Sequence, residues 1–117
     1  MHKLVILIES SVDRGAFDAA WPAFLRSAEQ MPGLLREATS QVEAVLFGSR
    51  SYTMIHELYF ASREAAQEAM ASPAGREAGR LLQIMTSGKL ALLFADHKED
   101  DLENIRKHTV KEETSGG

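Results

Sequence analysis

The chain has 117 residues, of which 44% are hydrophobic and 26% charged, and its net charge is −4. This length suits one domain with its own core, and the apolar fraction excludes an intrinsically disordered chain. No apolar run approaches the roughly 20 residues that span a bilayer, so we expect no membrane partner. The absence of cysteine excludes disulfides, a thiolate nucleophile and cysteine-based metal sites. We therefore expect a cytoplasmic protein.

The negative charge is concentrated in residues 96–117, which hold seven acidic and four basic side chains. Neither this segment nor the rest of the chain supplies the basic stripe with which proteins bind nucleic acids. We therefore predict no nucleic-acid partner. We also predict one folded domain over residues 1–97, followed by a charged tail over residues 98–117.

The chain begins with a predicted strand and a predicted helix. Residues 4–8 are uniformly apolar and predict the strand, and Asp13 is a suitable N-cap for the helix. Apolar residues at helical spacing then continue to about Gln30: Phe17, Trp21, Phe24, Leu25 and Ala28. Since a proline inside a helix removes a hydrogen bond, Pro22 predicts either a kink over residues 18–21 or a helix start close to Pro22.

Two further strands are predicted in the middle of the chain. Residues 34–47 are apolar at both ends and polar between them, which predicts a long, bulged, half-exposed strand. Residues 48–51 turn the chain. Residues 52–60, rich in aromatic and β-branched side chains, predict the third strand.

Two helices and a strand complete the predicted domain. Ser62 is expected to cap a short helix, and Ser72-Pro73 to end it and begin another, because serine favours the N-cap and proline the first helical position. Gly75 and Gly79 are expected to let this second helix approach the sheet closely. Residues 90–95 predict the last strand, and residues 100–107 a further short helix.

This order of elements predicts an α+β, ferredoxin-like βαββαβ fold, in which a hairpin joins two βαβ crossovers. Right-handed crossovers set the strand order 4-1-3-2 in a four-stranded antiparallel sheet. The first and last strands are apolar on both faces, whereas the helices of a chain this short cover only one face. We therefore predict a homodimer in which the second face of each sheet packs against a second copy of the chain.

Four short motifs carry a resemblance to a known family. They are Phe17…Trp21, Met31-Pro32-Gly33-Leu34, Glu57-Leu58-Tyr59-Phe60-Ala61-Ser62 and Ser72-Pro73-Ala74-Gly75. Over residues 3–97 the chain thereby resembles the EthD family, named for ethyl tert-butyl ether degradation, of the dimeric α/β-barrel superfamily. The resemblance implies two ferredoxin-like protomers packed sheet against sheet, each with a small cleft between its sheet and its helices.

The same resemblance implies a range of activities. The superfamily includes cofactor-free monooxygenases, cyclases, isomerases and proteins that only bind small ligands. Many family members carry a histidine four residues after the tryptophan of the first helix, facing the cleft. Leu25 occupies that position here.

His56 is the candidate catalytic residue. Strict strand alternation places it with Met54, Leu58 and Phe60, and a histidine among apolar neighbours can act as a general base near neutral pH. The alternative is a structural histidine, bonded to the backbone or lying on the dimer face. Glu57 alternates to the opposite face, where we expect an interface or edge charge.

Trp21, Phe24 and Tyr52 are the candidate ligand-binding residues, predicted to line the cleft. Aromatic residues at helical spacing also fill cores, which is the alternative for them. His2 and His97 are predicted to be neighbours at adjoining strand ends, where Asp96 would complete a set of metal ligands. Strand ends commonly carry solvated histidines, however, so no metal site is predicted.

No cofactor is predicted. Ser10-Ser11 follows a strand but lacks the Gly-x-Ser-x-Gly elbow of a serine nucleophile, and the chain contains no glycine-rich phosphate loop. Neither nucleotide nor flavin binding is therefore supported.

Three functions remain open. The first is a small-molecule-binding protein for a hydrophobic or aromatic metabolite, and the resemblance implies an auxiliary role in oxidative degradation or biosynthesis. The second is a cofactor-independent monooxygenase, cyclase or isomerase that uses His56 as acid or base. The third is a structural or interaction dimer, whose cleft would be filled by its own side chains.

Overall fold

The computed structural model describes residues 1–100, and its helices and strands follow the predicted order. They are β1 (His2–Glu9), α1 (Arg14–Glu29), β2 (Arg36–Gln41), β3 (Tyr52–Phe60), α2 (Arg63–Ala71), α3 (Pro73–Thr86) and β4 (Leu90–Asp96). The strands form one antiparallel sheet in the order β2-β3-β1-β4, so the predicted ferredoxin-like fold and strand order are confirmed. The helix predicted over residues 100–107 and most of the predicted tail lie outside the described residues.

The prediction for the second strand is wrong in its length and in its bulge. β2 pairs with β3 without interruption from Arg36 opposite Tyr59 to Gln41 opposite Met54. The register shift of this sheet lies instead in β1, between Ile8 and Glu9. Residues 43–50 leave the sheet and are exposed among residues 1–100, and two of their apolar side chains, Leu46 and Phe47, are more than nine-tenths exposed.

The predicted helix start close to Pro22 is also wrong. α1 begins at Arg14, and the side chain of Asp13 accepts a hydrogen bond from the backbone N–H of Ala16, as a good N-cap does. Pro22 lies inside the helix. The cost of its missing hydrogen bond, about 3 kcal/mol, is offset because the helix buries Phe17 and Phe24 against the sheet.

The break between α2 and α3 is made by Ser72 and Pro73, as predicted. The Ser72 hydroxyl donates to the carbonyl of Ala69 at 2.6 Å and accepts from the backbone N–H of Gly75 at 3.1 Å. The expectation that both glycines of α3 pack on the sheet is wrong. A Cβ at Gly75 would lie 2.1 Å from the carbonyl oxygen of Ala69 in α2, and a Cβ at Gly79 would meet nothing within 4 Å.

The three helices cover one face of the sheet. On this face the side chains of β1 and β3 are buried and form the core with α1 and α3, among them Ile6, Ile8, Met54, Leu58 and Phe60. The alternate residues point to the other face, which we call the open face. Its apolar side chains, such as Val5, Ile55 and Leu93, are half-buried or exposed.

Within residues 1–100, no helix has both the length and the apolar character needed to cross a membrane.

Candidate functional site

A cavity of about 250 Å³ lies between the sheet and α3. Its deep part consists entirely of buried apolar side chains from β1, β3, α1, α3 and the loop after α1: Ile6, Leu58, Phe24, Ala78, Leu82 and Met31. Leu4 of β1 also lines it. Such a wall cannot hydrogen-bond to water, so this space favours apolar occupants.

The mouth of the cavity lies between α2, α3 and β4. Its exposed lining residues are Met70, Arg76, Gly79 and Leu92. Gly79 has no side chain, and open space surrounds the position that its Cβ would take. Glycine inside a helix costs about 1 kcal/mol relative to alanine. At this position the missing side chain keeps the mouth wide.

His56 lies beside the cavity rather than in it. Its ring is fully buried on the helix-covered face, with Nδ1 2.8 Å from the Thr39 hydroxyl and Nε2 3.3 Å from a carboxylate oxygen of Glu37. With Glu37 ionised, Nε2–H donates to the carboxylate and the Thr39 hydroxyl donates to Nδ1. Both ring nitrogens are therefore occupied by partners from β2.

The burial of this group changes its acid–base properties. Burial lowers the pKa of His56 to about 4, although the negative charge of Glu57 acts in the opposite direction. Burial also raises the pKa of Glu37, and the nearby carboxylate of Glu29 raises it further. His56 is therefore neutral at pH 7.

The structure brings three of the four predicted site residues together. The ring centroids of Trp21 and Phe24 lie 5.2 and 5.8 Å from that of His56, both edge to face. Of these three residues, only Phe24 is among the residues that line the cavity. Tyr52 is apart from them and borders a different depression, next to Val42 and Ser10.

Sequence reasoning missed Glu37, Thr39 and Arg76. Their alternation along β2 could have indicated that Glu37 and Thr39 share one face of the sheet. Their contact with His56, however, depends on the register between β2 and β3. Without knowledge of the cavity, Arg76 cannot be distinguished from other charged residues on an exposed helix surface.

Leu25, at the position of the family histidine, is a partly buried residue packed against the core.

One end of the open face carries a polar cluster around Tyr59. The Lys3 ammonium pairs with Glu57, which also accepts a hydrogen bond from the Tyr59 hydroxyl at 3.4 Å. The Arg36 guanidinium lies 4.1 Å from the centroid of the Tyr59 ring, and the His97 ring packs against its edge. Glu57 thus lies on the face expected for it, paired with a cation.

His2 and His97 were predicted to be neighbours, and the structure brings the backbone of the two strand ends together but not the two imidazole rings. The N–H of His97 donates to the carbonyl of Met1 at 2.8 Å. The two rings, however, lie on opposite faces of the sheet, where His2 contacts Phe94 and His97 contacts Tyr59. In the part of the chain that the structure describes, no three histidine, aspartate or glutamate side chains are placed to hold a metal ion.

Comparison with known proteins gives one relative of similar length. No model of a known protein family matches the chain. The chain is 27% identical over 99 residues to an uncharacterized 11.0 kDa protein in the thcB-thcC intergenic region of Rhodococcus erythropolis, and the match covers 84% of this chain and 96% of that protein.

Solved structures share the fold over most of their length. An EthD family protein from Bacillus halodurans C-125 superposes with a TM-score of 0.75 at 23% identity, covering 84% of this chain and 99% of that one. A dimeric ferredoxin-like protein of unknown function from Jannaschia sp. CCS1 gives 0.64 at 16% identity, covering 83% and 100%. SnoaB, a cofactor-independent oxygenase from Streptomyces nogalater, gives 0.61 at 12% identity, covering 85% and 94%. The chain therefore has the fold of an EthD family protein, the family that its sequence motifs resemble.

Proposed function

We propose that this protein binds a small, largely apolar molecule in the cavity between its sheet and α3. The observation that carries the proposal is the cavity itself, about 250 Å³ in volume and walled by buried apolar side chains. An apolar cavity of about 150 Å³ holds a benzene molecule. This one therefore has room for a substituted aromatic ring or a ligand of similar size.

Two observations favour this function over its two rivals. A structural module would fill the cleft with its own side chains, whereas here space remains. Acid–base catalysis by His56 would need its imidazole to contact the ligand. The ring is instead fully buried, bonded at both nitrogens and not among the residues that line the cavity, which supports binding rather than catalysis by His56.

Membership of the EthD family, and with it an auxiliary role in oxidative degradation or biosynthesis, is the broader part of the proposal. Its support is the shared fold together with the four sequence motifs. The ligand would then be a hydrophobic or aromatic metabolite of such a reaction sequence.

Binding to the cavity can be tested by narrowing its mouth. Gly79→Leu places a branched side chain in the open space at the mouth, and we expect it to weaken the binding of naphthylmethanol, a neutral probe, by about tenfold or more. The measurement is isothermal titration calorimetry with the wild-type protein and the variant. Gly79→Ala, which adds a single methyl group, is the control and should lose much less affinity. Equal binding by Gly79→Leu and the wild-type protein would place the probe elsewhere.

We further propose that the chain forms a homodimer through the open face. Half-buried and exposed apolar side chains on three strands of this face support the proposal, because a solvated sheet face is normally polar. The similar Jannaschia protein is described as dimeric. In a dimer with a two-fold axis, the open face of one copy would pack against the open face of the other.

Leu93→Asp is expected to dissociate this dimer. Leu93 lies on the open face with 49% of its surface exposed, and a carboxylate buried there without a partner should raise the dissociation constant by about a hundredfold or more. Ile84→Asp is the matched control, because Ile84 is 54% exposed but lies on α3, on the other side of the sheet. Sedimentation velocity at micromolar concentration distinguishes the species. A monomeric wild-type protein, or a dimeric Leu93→Asp variant, would contradict the proposed interface.

A further inference from the structure

We propose that the ligand of the cavity is an anion, a carboxylate with an apolar body, and that Arg76 binds its acid group. This inference rests on the proposed binding function and specifies the chemical class of the ligand. It follows from the identity of one residue at the mouth and from the apolar character of all the other lining residues.

Among residues 1–100, Arg76 is the only lining residue whose side chain bears a charge or a hydrogen-bonding N–H or O–H group; the others are aliphatic, aromatic, thioether or glycine. A guanidinium donates hydrogen bonds and accepts none. A polar group on a bound ligand can therefore be satisfied by a cavity side chain only if that group is an acceptor. A carboxylate is the best match, since it takes two parallel N–H···O bonds from one arginine.

Arg76 is available for such a bond. Within residues 1–100, no carboxylate forms an ion pair with it, although the same helix contains a paired arginine. That arginine is Arg80, whose guanidinium contacts both carboxylate oxygens of Glu77 at 2.9 and 2.5 Å. Glu77 is thereby paired with Arg80 and, among residues 1–100, does not compensate the positive charge of Arg76 at the mouth.

The geometry also avoids the cost of burying a charge. Arg76 is exposed, whereas the deep part of the cavity is apolar and buried. A ligand that enters with its apolar end first leaves its carboxylate at the mouth, in contact with both water and Arg76. Its body then gains from burial, and its charge remains solvated on one side.

The test compares the binding of naphthoate and of naphthylmethanol, with both substituents at the same position of the naphthalene ring. Binding is measured at pH 7 by isothermal titration calorimetry. We expect the wild-type protein to bind naphthoate about tenfold more tightly than the alcohol, and Arg76→Gln to lose this preference because it weakens naphthoate much more than the alcohol. Arg26→Gln is the control, because it removes an exposed arginine of α1 that is not among the residues lining the cavity, and it should keep the preference.

The possible outcomes separate the two proposals. If the alcohol binds as tightly as naphthoate, or if Arg76→Gln weakens both probes equally, the anion preference is overturned and the binding function stands. If Arg26→Gln weakens naphthoate as much as Arg76→Gln does, the effect comes from the overall charge of the protein and the role of Arg76 is overturned. If neither probe binds, the proposed function fails together with the inference.

Discussion

Gly75→Ala is expected to lower the free energy of unfolding by about 3 kcal/mol. The new methyl carbon would lie 2.1 Å from the carbonyl oxygen of Ala69 and 2.7 Å from that of Met70, far inside van der Waals contact. Both atoms belong to the backbone of α2, so no flexible side chain can move away to relieve the clash. α3 would have to separate from α2, which would strain the hydrogen bonds that Ser72 makes at the junction. Urea denaturation followed by circular dichroism measures the effect.

Gly79→Ala is the matched control for this change. It lies one turn further along the same helix and meets nothing within 4 Å. Replacing glycine by alanine inside a helix stabilises it by about 1 kcal/mol through backbone entropy, and this gain applies at both positions. The two variants should therefore shift stability in opposite directions. Equal shifts would show that α2 and α3 are not in close contact at Gly75.

Acidification is expected to remove about 3 kcal/mol of stability between pH 7 and pH 4 through His56 alone. The folded state holds this imidazole neutral with a pKa of about 4, whereas the unfolded chain binds a proton near pH 6.5. Between these two values the unfolded state binds more protons, so stability falls as the pH falls. The partners facing the ring are Glu37 and Thr39 from β2 and Trp21 and Phe24 from α1.

Glu37 acts in the opposite direction. Its pKa is raised in the folded state, so the folded protein takes up this proton before the unfolded chain does and gains stability as the pH falls toward 4.5.

A comparison of the wild-type protein with a variant separates the contribution of His56 from that of Glu37. His56→Gln, which does not titrate, should have a pH dependence shallower than that of the wild-type protein by the amount assigned to His56. The measurement is the free energy of unfolding in urea from pH 4 to pH 7. Identical slopes in both proteins would mean that His56 is not buried in its neutral form.

The sequence sufficed for the topology because strong local signals agreed with one another. The apolar run in β1, the caps at Asp13 and Ser62, and the Ser72-Pro73 break each define an element boundary, and crossover handedness then leaves one strand order. The signals failed where local preference and tertiary packing disagree. Leu46 and Phe47 favour a strand by composition, yet among residues 1–100 their side chains remain almost fully exposed.

The site was less predictable because it depends on contacts between elements. Strand alternation correctly placed His56 on the same face as Met54, Leu58 and Phe60, but its bonds to Glu37 and Thr39 follow from the register of β2 on β3. The cavity depends on how far α3 stands from the sheet, which no local pattern encodes. Gly79 and Arg76 can be distinguished from other residues of an exposed helix surface only once the cavity that they line is known.

The closed environment of His56 makes it a reporter of local opening. Because its ring is inaccessible to water and each ring nitrogen has a partner on β2, the nitrogen-bound proton can exchange with solvent only when β2 separates from β3. In deuterated water, the rate at which the NMR signal of this imidazole proton disappears would therefore report the local separation of β2 from β3, independently of global unfolding.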